Sequence, residues 1–437
     1  MPVRGRSSWL PDGPGLAAVG QTVRLWHDPV AFQQQALRRY GEPFTLRIKP
    51  VGELVVVSDP ETVLEIFRGD PETFRAGRAN GRILPILDCH SLLLADSEEH
   101  HQRRLVLLPA FRRDRVSELD ETIRGAAHTA MAQWPVGRAF PLLPSLRALT
   151  LRVILRAVIA VPGPAARADL AAAVTRLLAP ASGAALWWGR GRRRRWSPLG
   201  IFERRRAAVH VLVRNEIRRR RRTSEEPPPD ILDILMGAVG SDGLPLDDEA
   251  MCDEVVTLLI AGHETTSIAL AWTFERVLRS PAVLERARAA ARDGEPGYLD
   301  ALVMESLRSR PPLVDSVRTL GADTTIGGHT LPTDTTVMVS IPLVHQRADL
   351  YPEPADFRPE RFLGQHPKPH EWVPFGGGGR RCIGAELATF EMRTVVTSVL
   401  AQADLRAART GPEHSRLLGT ALTPSRRCEV VSRQPVR

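Results

Sequence analysis

The sequence is nearly devoid of lysine: of its 59 basic residues only Lys49 and Lys368 are lysines, and the rest are arginines. That bias fits the base composition of a genome as well as it fits any function. The formal charge of +9 over 437 residues favours acidic partners of every kind, so it singles out none, and no nucleic-acid contact is expected. Cysteine is also scarce. Cys89, Cys252, Cys382 and Cys428 form no CxxC pair, which excludes a zinc ribbon and a disulfide framework and points to a reducing compartment. The opening stretch "MPVRGRSSWLPDGPGL" lacks the apolar centre of a secretory signal. No run reaches about 18 uninterrupted apolar residues, so no membrane-spanning helix is indicated. The most apolar helix-length segment, residues 255–272, carries His263 and Glu264 at its centre. The expectation is a cytoplasmic protein. No internal repeat is present.

What is there reads as mostly helical. Residues 43–59, "PFTLRIKPVGELVVVSD", form a hairpin candidate around a Pro-Val-Gly turn. Helical patterns dominate from about 98 to 310, broken by two loops, "GRGRRRRWSP" (189–198) and "TSEEPPPD" (223–230). Short β-like runs fill 316–341, with Gly327-Gly328 as a turn, and 363–375 is irregular. After Cys382 a helix resumes, with Ala388, Met392, Val395 and Val399 on one face. The fold class is mainly α with minor β.

Residues 375–384 read "FGGGGRRCIG". Consecutive glycines admit positive φ and leave room for something flat and bulky. A P-loop would need Lys-Ser/Thr where Arg380-Arg381 stand, and a dinucleotide fingerprint would need glycine at 381. A nucleophilic cysteine would want a histidine nearby in sequence, and none is there. What remains is a metal-ligand cysteine at a helix start, where backbone N–H groups and the helix dipole favour a thiolate. The alternative is a Gly-rich loop with a buried cysteine.

In every fixed position, Phe375-Gly376-x-Gly378-x-Arg380-x-Cys382-x-Gly384 resembles the haem-binding loop of the cytochrome P450 family. The resemblance implies haem b as cofactor, with Cys382 as axial thiolate. It implies that Phe375 packs beside the sulfur, that Arg380 pairs with a haem propionate, and that Gly376 and Gly384 shape the loop. It also implies one P450 domain over 1–437, with a Pro/Gly-rich lead-in at 1–25, a triangular helical body, a long central helix over the haem and small β regions.

Further motifs follow in the family's order. "ESLR" supplies Glu305 and Arg308 on one helix face, and "PERF" supplies Arg361. The family couples these three as a structural network beneath the cysteine loop. "HHQRRLVLLPAF" (100–111) is similar to the family's WxxxR helix, with His100 in the aromatic position and Arg104 in place. Arg318 matches a third propionate-binding position. "AGHETTS" (261–267) is no metalloprotease motif, because Ser267 stands where HExxH needs its second histidine. The resemblance instead lays Ala261 and Gly262 flat over a haem face. It leaves the Thr265 hydroxyl to bond back to the Ala261 carbonyl or turn toward bound oxygen, with Glu264 relaying protons. An acid and two threonines inside an apolar run are too costly to be casual. Near the N-terminus, "DPVAFQQQALRRYGEPFTLRI" looks like the family's first helix and first strand.

The implied activity is insertion of one oxygen atom from O2 into a hydrophobic small molecule such as a fatty acid, alkane or terpenoid. The expected electron donor is separate, a ferredoxin with its reductase or a flavodoxin-type protein. The pocket segments 81–87, 311–316 and 419–424 contribute mostly aliphatic side chains. Two other functions fit the motifs less well. One is a peroxide-using, rearrangement or coupling enzyme, and the other is a non-enzymatic haem sensor or carrier. Neither needs both Glu264 and Thr265. The loop around 187–196, five arginines among Trp187, Trp188 and Trp196, suits either solvent or the surface of an anionic membrane.

Overall fold

The computed structural model describes residues 9–84, 90–178, 197–223, 230–239 and 243–433. Residues 187–196, which carry the proposed membrane contact, lie outside the described residues. So do Cys89, residues 85–87 of the first pocket segment and residues 224–229 of the second loop.

A five-stranded sheet stands at one end. The hairpin forms as expected, β1 (Phe44–Ile48) pairing antiparallel with β2 (Gly52–Val57). A short β3 (Phe74–Arg75) follows, then β4 (Asp315–Leu320) and β5 (Thr336–Ser340), giving the order β1-β2-β5-β4-β3. β2 and β5 pair in parallel, so segments nearly 300 residues apart in sequence share one sheet, with Leu54 opposite Thr336. Between β4 and β5, Gly327-Gly328 turns a two-stranded ribbon. The segment read as the first helix is Pro29–Tyr40. A helix at Ala18–His27 precedes it, inside what reads in sequence as an irregular lead-in.

The helical body positions the site through five helices. α1 spans Ser97–Leu107, α2 Leu142–Val158, α3 Asp248–Leu278, α4 Pro296–Ser309 and α5 Ala385–Gln402. α3 is longer at both ends than its apolar stretch. Asp247 caps it by accepting from the Ala250 N–H, and Asp248 and Glu249 in the first turn complement the helix dipole. It is apolar almost all round because it is packed all round. Trp272 and Phe274 enter one helical core with Met392 and Val395 of α5, while Val255 and Leu259 enter another with Leu151 and Ile154 of α2. α3 is long and apolar enough to cross a membrane, yet most of that stretch is buried inside the protein. The small residue at 262 serves packing as well as clearance. A Cβ there would stand 2.7 Å from Ile154 Cδ1, so Gly262 lets α2 and α3 approach.

Candidate active site

The loop from Phe375 to Gly384 closes on itself through the Cys382 N–H, which donates to the Phe375 carbonyl at 2.9 Å. Its glycines are not equivalent. Gly376 and Gly378 have φ of 64° and 62°, where a side chain is strained. A Cβ on Gly378 would lie 1.8 Å from the Phe67 carbonyl oxygen, and one on Gly377 would lie 2.2 Å from the Phe67 ring. A Cβ on Gly379 would meet nothing. The run therefore lets the loop press onto the helix Pro60–Arg68. Phe375 packs edge-on to Trp372, with ring centroids 5.8 Å apart, and Arg381 lies over its other side.

Cys382 has accessible surface, but that surface faces an internal cavity of about 530 Å³. Enclosure by protein pushes its thiol up; the Gly384 N–H, Arg381 and Arg104 pull the other way and do not prevail. The helix-start effect expected from sequence thus has the right sign and is outweighed. A metal bound to the sulfur would reverse the balance, because coordination deprotonates a thiol outright.

The opposite wall is the middle of α3. Ala261 and Thr265 line the cavity, and the Thr265 hydroxyl donates to the Ala261 carbonyl at 2.7 Å, one of its two expected partners. Glu264 also lines the cavity, and it is ion-paired. Both its oxygens accept from Arg147 of α2, one at 3.0 Å from Nε. Nothing in the sequence pattern signals Arg147, since it belongs to a different helix.

Basic groups gather along one side. His100 and Arg104 share a face of α1, and Arg318 comes from β4. His100 is buried, and burial together with Arg380, Arg104 and Arg318 holds it down at about 3, so it is neutral. Arg318 is only 5% exposed. It donates to the Ser316 hydroxyl and the Val317 carbonyl and has no carboxylate partner among the described residues; burial, with Arg380 nearby, lowers it to about 10. Arg104 likewise has no ion pair among the described residues, and burial lowers it too. Arg380 does have a partner. It bonds Asp96 Oδ1 at 2.7 Å and the Ala95 carbonyl at 2.5 Å, and Asp96 in turn accepts the Gly77 and Arg78 N–H groups. Asp96 is a residue the sequence reading misses. It immediately precedes α1, where an acid reads as a helix cap, but its side chain makes no capping bond there.

Glu305, Arg308 and Arg361 meet as expected. Arg308 is fully buried and bonds both Glu305 oxygens, at 2.6 and 2.8 Å, and the carbonyls of His345, Pro354 and Asp356. Arg361 Nε reaches Glu305 Oε1 at 3.4 Å, and the Arg358 N–H joins the same oxygen at 2.9 Å. Every side of this buried ion pair is satisfied. Two further acids went unnoticed in sequence. Glu391 of α5 is fully enclosed, with Oε1 unpartnered and its carboxyl raised by burial. Asp315 stands at the start of β4 in a segment read as aliphatic.

The donor set fits haem b. One thiol on a self-closed loop faces the cavity, and two guanidinium groups without carboxylates flank it. The cavity is otherwise mostly apolar, and α3 presents a small residue, Ala261, to it. A flat macrocycle with a central metal and two acidic substituents supplies the partner each of these groups lacks.

Comparison with known proteins agrees. The family model described as "Cytochrome P450" matches residues 11–429. Cytochrome P450 135B1 of Mycobacterium tuberculosis is 36% identical over 430 residues, spanning 96% of this chain and 90% of the relative. Retinoic acid-bound cyanobacterial CYP120A1 superposes with a TM-score of 0.83 at 26% identity, covering 97% of this chain and 99% of that one. The heme domain of cytochrome P450DA superposes with a TM-score of 0.84 at 23% identity, covering 98% of each chain. The chain belongs to the cytochrome P450 family and is a haem-thiolate monooxygenase, an oxidoreductase whose cofactor is haem b.

Proposed function

We propose that the enzyme inserts one atom of O2 into a hydrophobic small molecule held between α3 and the segments 311–316 and 419–421, with electrons from a separate ferredoxin- or flavodoxin-type donor. The observation that carries this reading is one cavity shared by Cys382, Thr265 and two guanidinium groups without carboxylates. The retinoic acid bound by the cyanobacterial relative supports an apolar, small-molecule substrate class. When bound, haem b supplies the iron chemistry that activates O2 and transfers oxygen.

The chain's own residues take distinct parts. Cys382 would hold the haem iron through its sulfur, kept in direction by its N–H bond to Phe375 and by the Gly384 N–H at that sulfur. Such bonds also restrain how strongly the sulfur donates. Arg104 and Arg318 pair with the propionates, and neutral His100 offers a hydrogen bond beside them. Arg380 stays on Asp96 or shares itself between Asp96 and a propionate. Thr265 is the last proton donor on the α3 side. It gives up its bond to the Ala261 carbonyl and turns its hydroxyl into the cavity. Glu264 resupplies protons, and Arg147 fixes the position of its carboxylate. The Glu305–Arg308–Arg361 network holds the chain that leads into the cysteine loop.

The test uses the reconstituted holoenzyme. Cys382→His should abolish the thiolate-type spectrum of the reduced carbonyl complex, whereas replacing Cys252 or Cys428 should not. Thr265→Ala should keep the substrate-induced spin shift and oxygen uptake but divert electrons from product to hydrogen peroxide. Loss of one positioned proton donor costs about a hundredfold or more in the step it serves. Full coupling in Thr265→Ala would refute the proton assignment.

A further inference from the structure

The charged groups facing the cavity divide into those the protein satisfies and those it leaves alone. Glu264 has Arg147 and Arg380 has Asp96, whereas Glu254 accepts the Leu92 N–H at 2.9 Å with one oxygen and leaves the other unpartnered, as Glu391 of α5 does at Oε1. Arg104 and Arg318 are accounted for by propionates under the function proposed above. Asp315 differs from Glu254 and Glu391 in standing on the wall formed by residues 311–316 and 419–421, and it too is accounted for by nothing. It opens β4, opposite Ser340 of β5, and no hydrogen bond or ion pair reaches its carboxylate among the described residues. Its remaining accessible surface opens on the cavity. Burial pushes the carboxyl up to about 7, and no charged group of the protein acts against that.

The backbone around it is fixed. The Ile341 N–H donates to the Val314 carbonyl at 3.1 Å, and the Leu422 N–H to the Pro312 carbonyl at 2.8 Å. Leu313 bridges Ala421. These bonds fix the backbone that carries Asp315 at the cavity wall. Its neighbours along the same wall, Leu313, Ile341 and Ala421, are apolar. An unpaired carboxyl in such surroundings is destabilising, and the protein offers no compensation. A cation that enters the cavity would supply it.

We propose that Asp315 is a specificity-determining residue: the pocket takes an otherwise apolar molecule that carries a cationic amine, and the ammonium pairs with the Asp315 carboxylate. A cation is favoured over a hydroxyl because opposite full charges attract strongly in surroundings from which water is largely excluded. A carboxylate-bearing ligand is rejected by like charge at this wall, so only the apolar character of the retinoic acid bound by the cyanobacterial relative carries over to this pocket. This deepens the monooxygenase reading and rests on it, because the cavity must be the substrate pocket.

Decyltrimethylammonium, decanol and decanoate present one alkyl chain with a cation, a neutral donor and an anion. The quaternary nitrogen has no lone pair with which to ligate iron. Binding to the holoenzyme is measured by calorimetry, and the reduced carbonyl spectrum is recorded on the same samples. The wild type should bind the cation at least about tenfold more tightly than the alcohol. Asp315→Asn should erase that preference while leaving alcohol affinity within about twofold, and Asp315→Glu should keep it. Removing an uncompensated carboxyl should also raise the urea midpoint of Asp315→Asn. The proposal is overturned if the wild type prefers the alcohol or the anion, if Asp315→Asn retains the preference, or if Asp315→Asn unfolds at lower urea. Loss of the thiolate spectrum with an intact cation preference would instead sink the haem assignment alone.

Discussion

Adjacent glycines in the cysteine loop should respond oppositely to one methyl group. At Gly378 the backbone has φ of 62° and the added Cβ would stand 1.8 Å from the Phe67 carbonyl oxygen. That oxygen belongs to backbone, so no rotamer change relieves the collision. Left-handed strain costs about 1–3 kcal/mol and overpacking about 1–3 kcal/mol more, so Gly378→Ala should lose about 2–6 kcal/mol. At Gly379 φ is not positive and the Cβ meets nothing, so Gly379→Ala should stay within about 0.5 kcal/mol of the wild type. Gly377→Ala should fall between them, because the obstacle there is the Phe67 ring, which can shift. Urea unfolding gives the stability change. The fraction of protein with a thiolate-type carbonyl spectrum shows whether the cysteine stays in place. Equal losses at 378 and 379, or none at 378, would refute the steric account of the loop.

Other outcomes follow from buried charge. Glu305→Ala strands the fully buried Arg308 guanidinium and should cost about 3–5 kcal/mol in urea unfolding, with haem released early; a loss under about 1 kcal/mol would mean that the network carries little of the fold. The buried histidines should make stability fall on acidification, against the opposite pull of the Asp315 and Glu254 carboxyls, which burial raises to about 7. His100 and His345 are held near about 3 and His263 near about 4, chiefly by burial, so the folded chain keeps all three neutral. The unfolded chain binds those protons below about 6.5, so their stability contribution is complete above that pH and is lost as pH falls toward about 4 and then 3. His345→Gln, which keeps an acceptor for the Val373 N–H, should lose less stability than the wild type between pH 7 and about 5, and an equal or larger loss would contradict the sign.

Much of this protein was legible because its chemistry is local in sequence. The cysteine loop, Glu305 with Arg308, His100 with Arg104, and Glu264 with Thr265 each lie within ten residues, so pattern and resemblance reach them together. The hairpin at β1 and β2 was legible for the same reason: a turn and two alternating runs specify it. The parallel pairing of β2 with β5 was not, because no spacing connects Leu54 with Thr336. Gly262 was read as clearance for the cofactor, and the nearby Ile154 side chain shows a second cause that belongs to another helix. Asp96 and Arg147 were missed on the same ground. Each matters through a partner, Arg380 or Glu264, that lies on a distant segment.

The deepest gap concerns groups that have no partner. A sequence shows that Arg318 and Asp315 are charged; only the folded chain shows which charges the protein has answered. Arg308 is buried more completely than Arg318, yet Arg308 meets two carboxylate oxygens and three carbonyls, while Arg318 meets one hydroxyl and one carbonyl. Both sit in low-dielectric surroundings where an unanswered charge is expensive. The difference separates structure from function: the first arginine completes the fold, and the second awaits a ligand. The same contrast holds among the acids. Glu305 is satisfied by Arg308, Arg361 and the Arg358 N–H, whereas Asp315 faces the cavity with nothing opposite. A cavity that leaves cations without carboxylates beside its thiol and an acid unanswered on its apolar wall is shaped for two occupants of opposite charge: a cofactor with acidic substituents, and a substrate with a basic one.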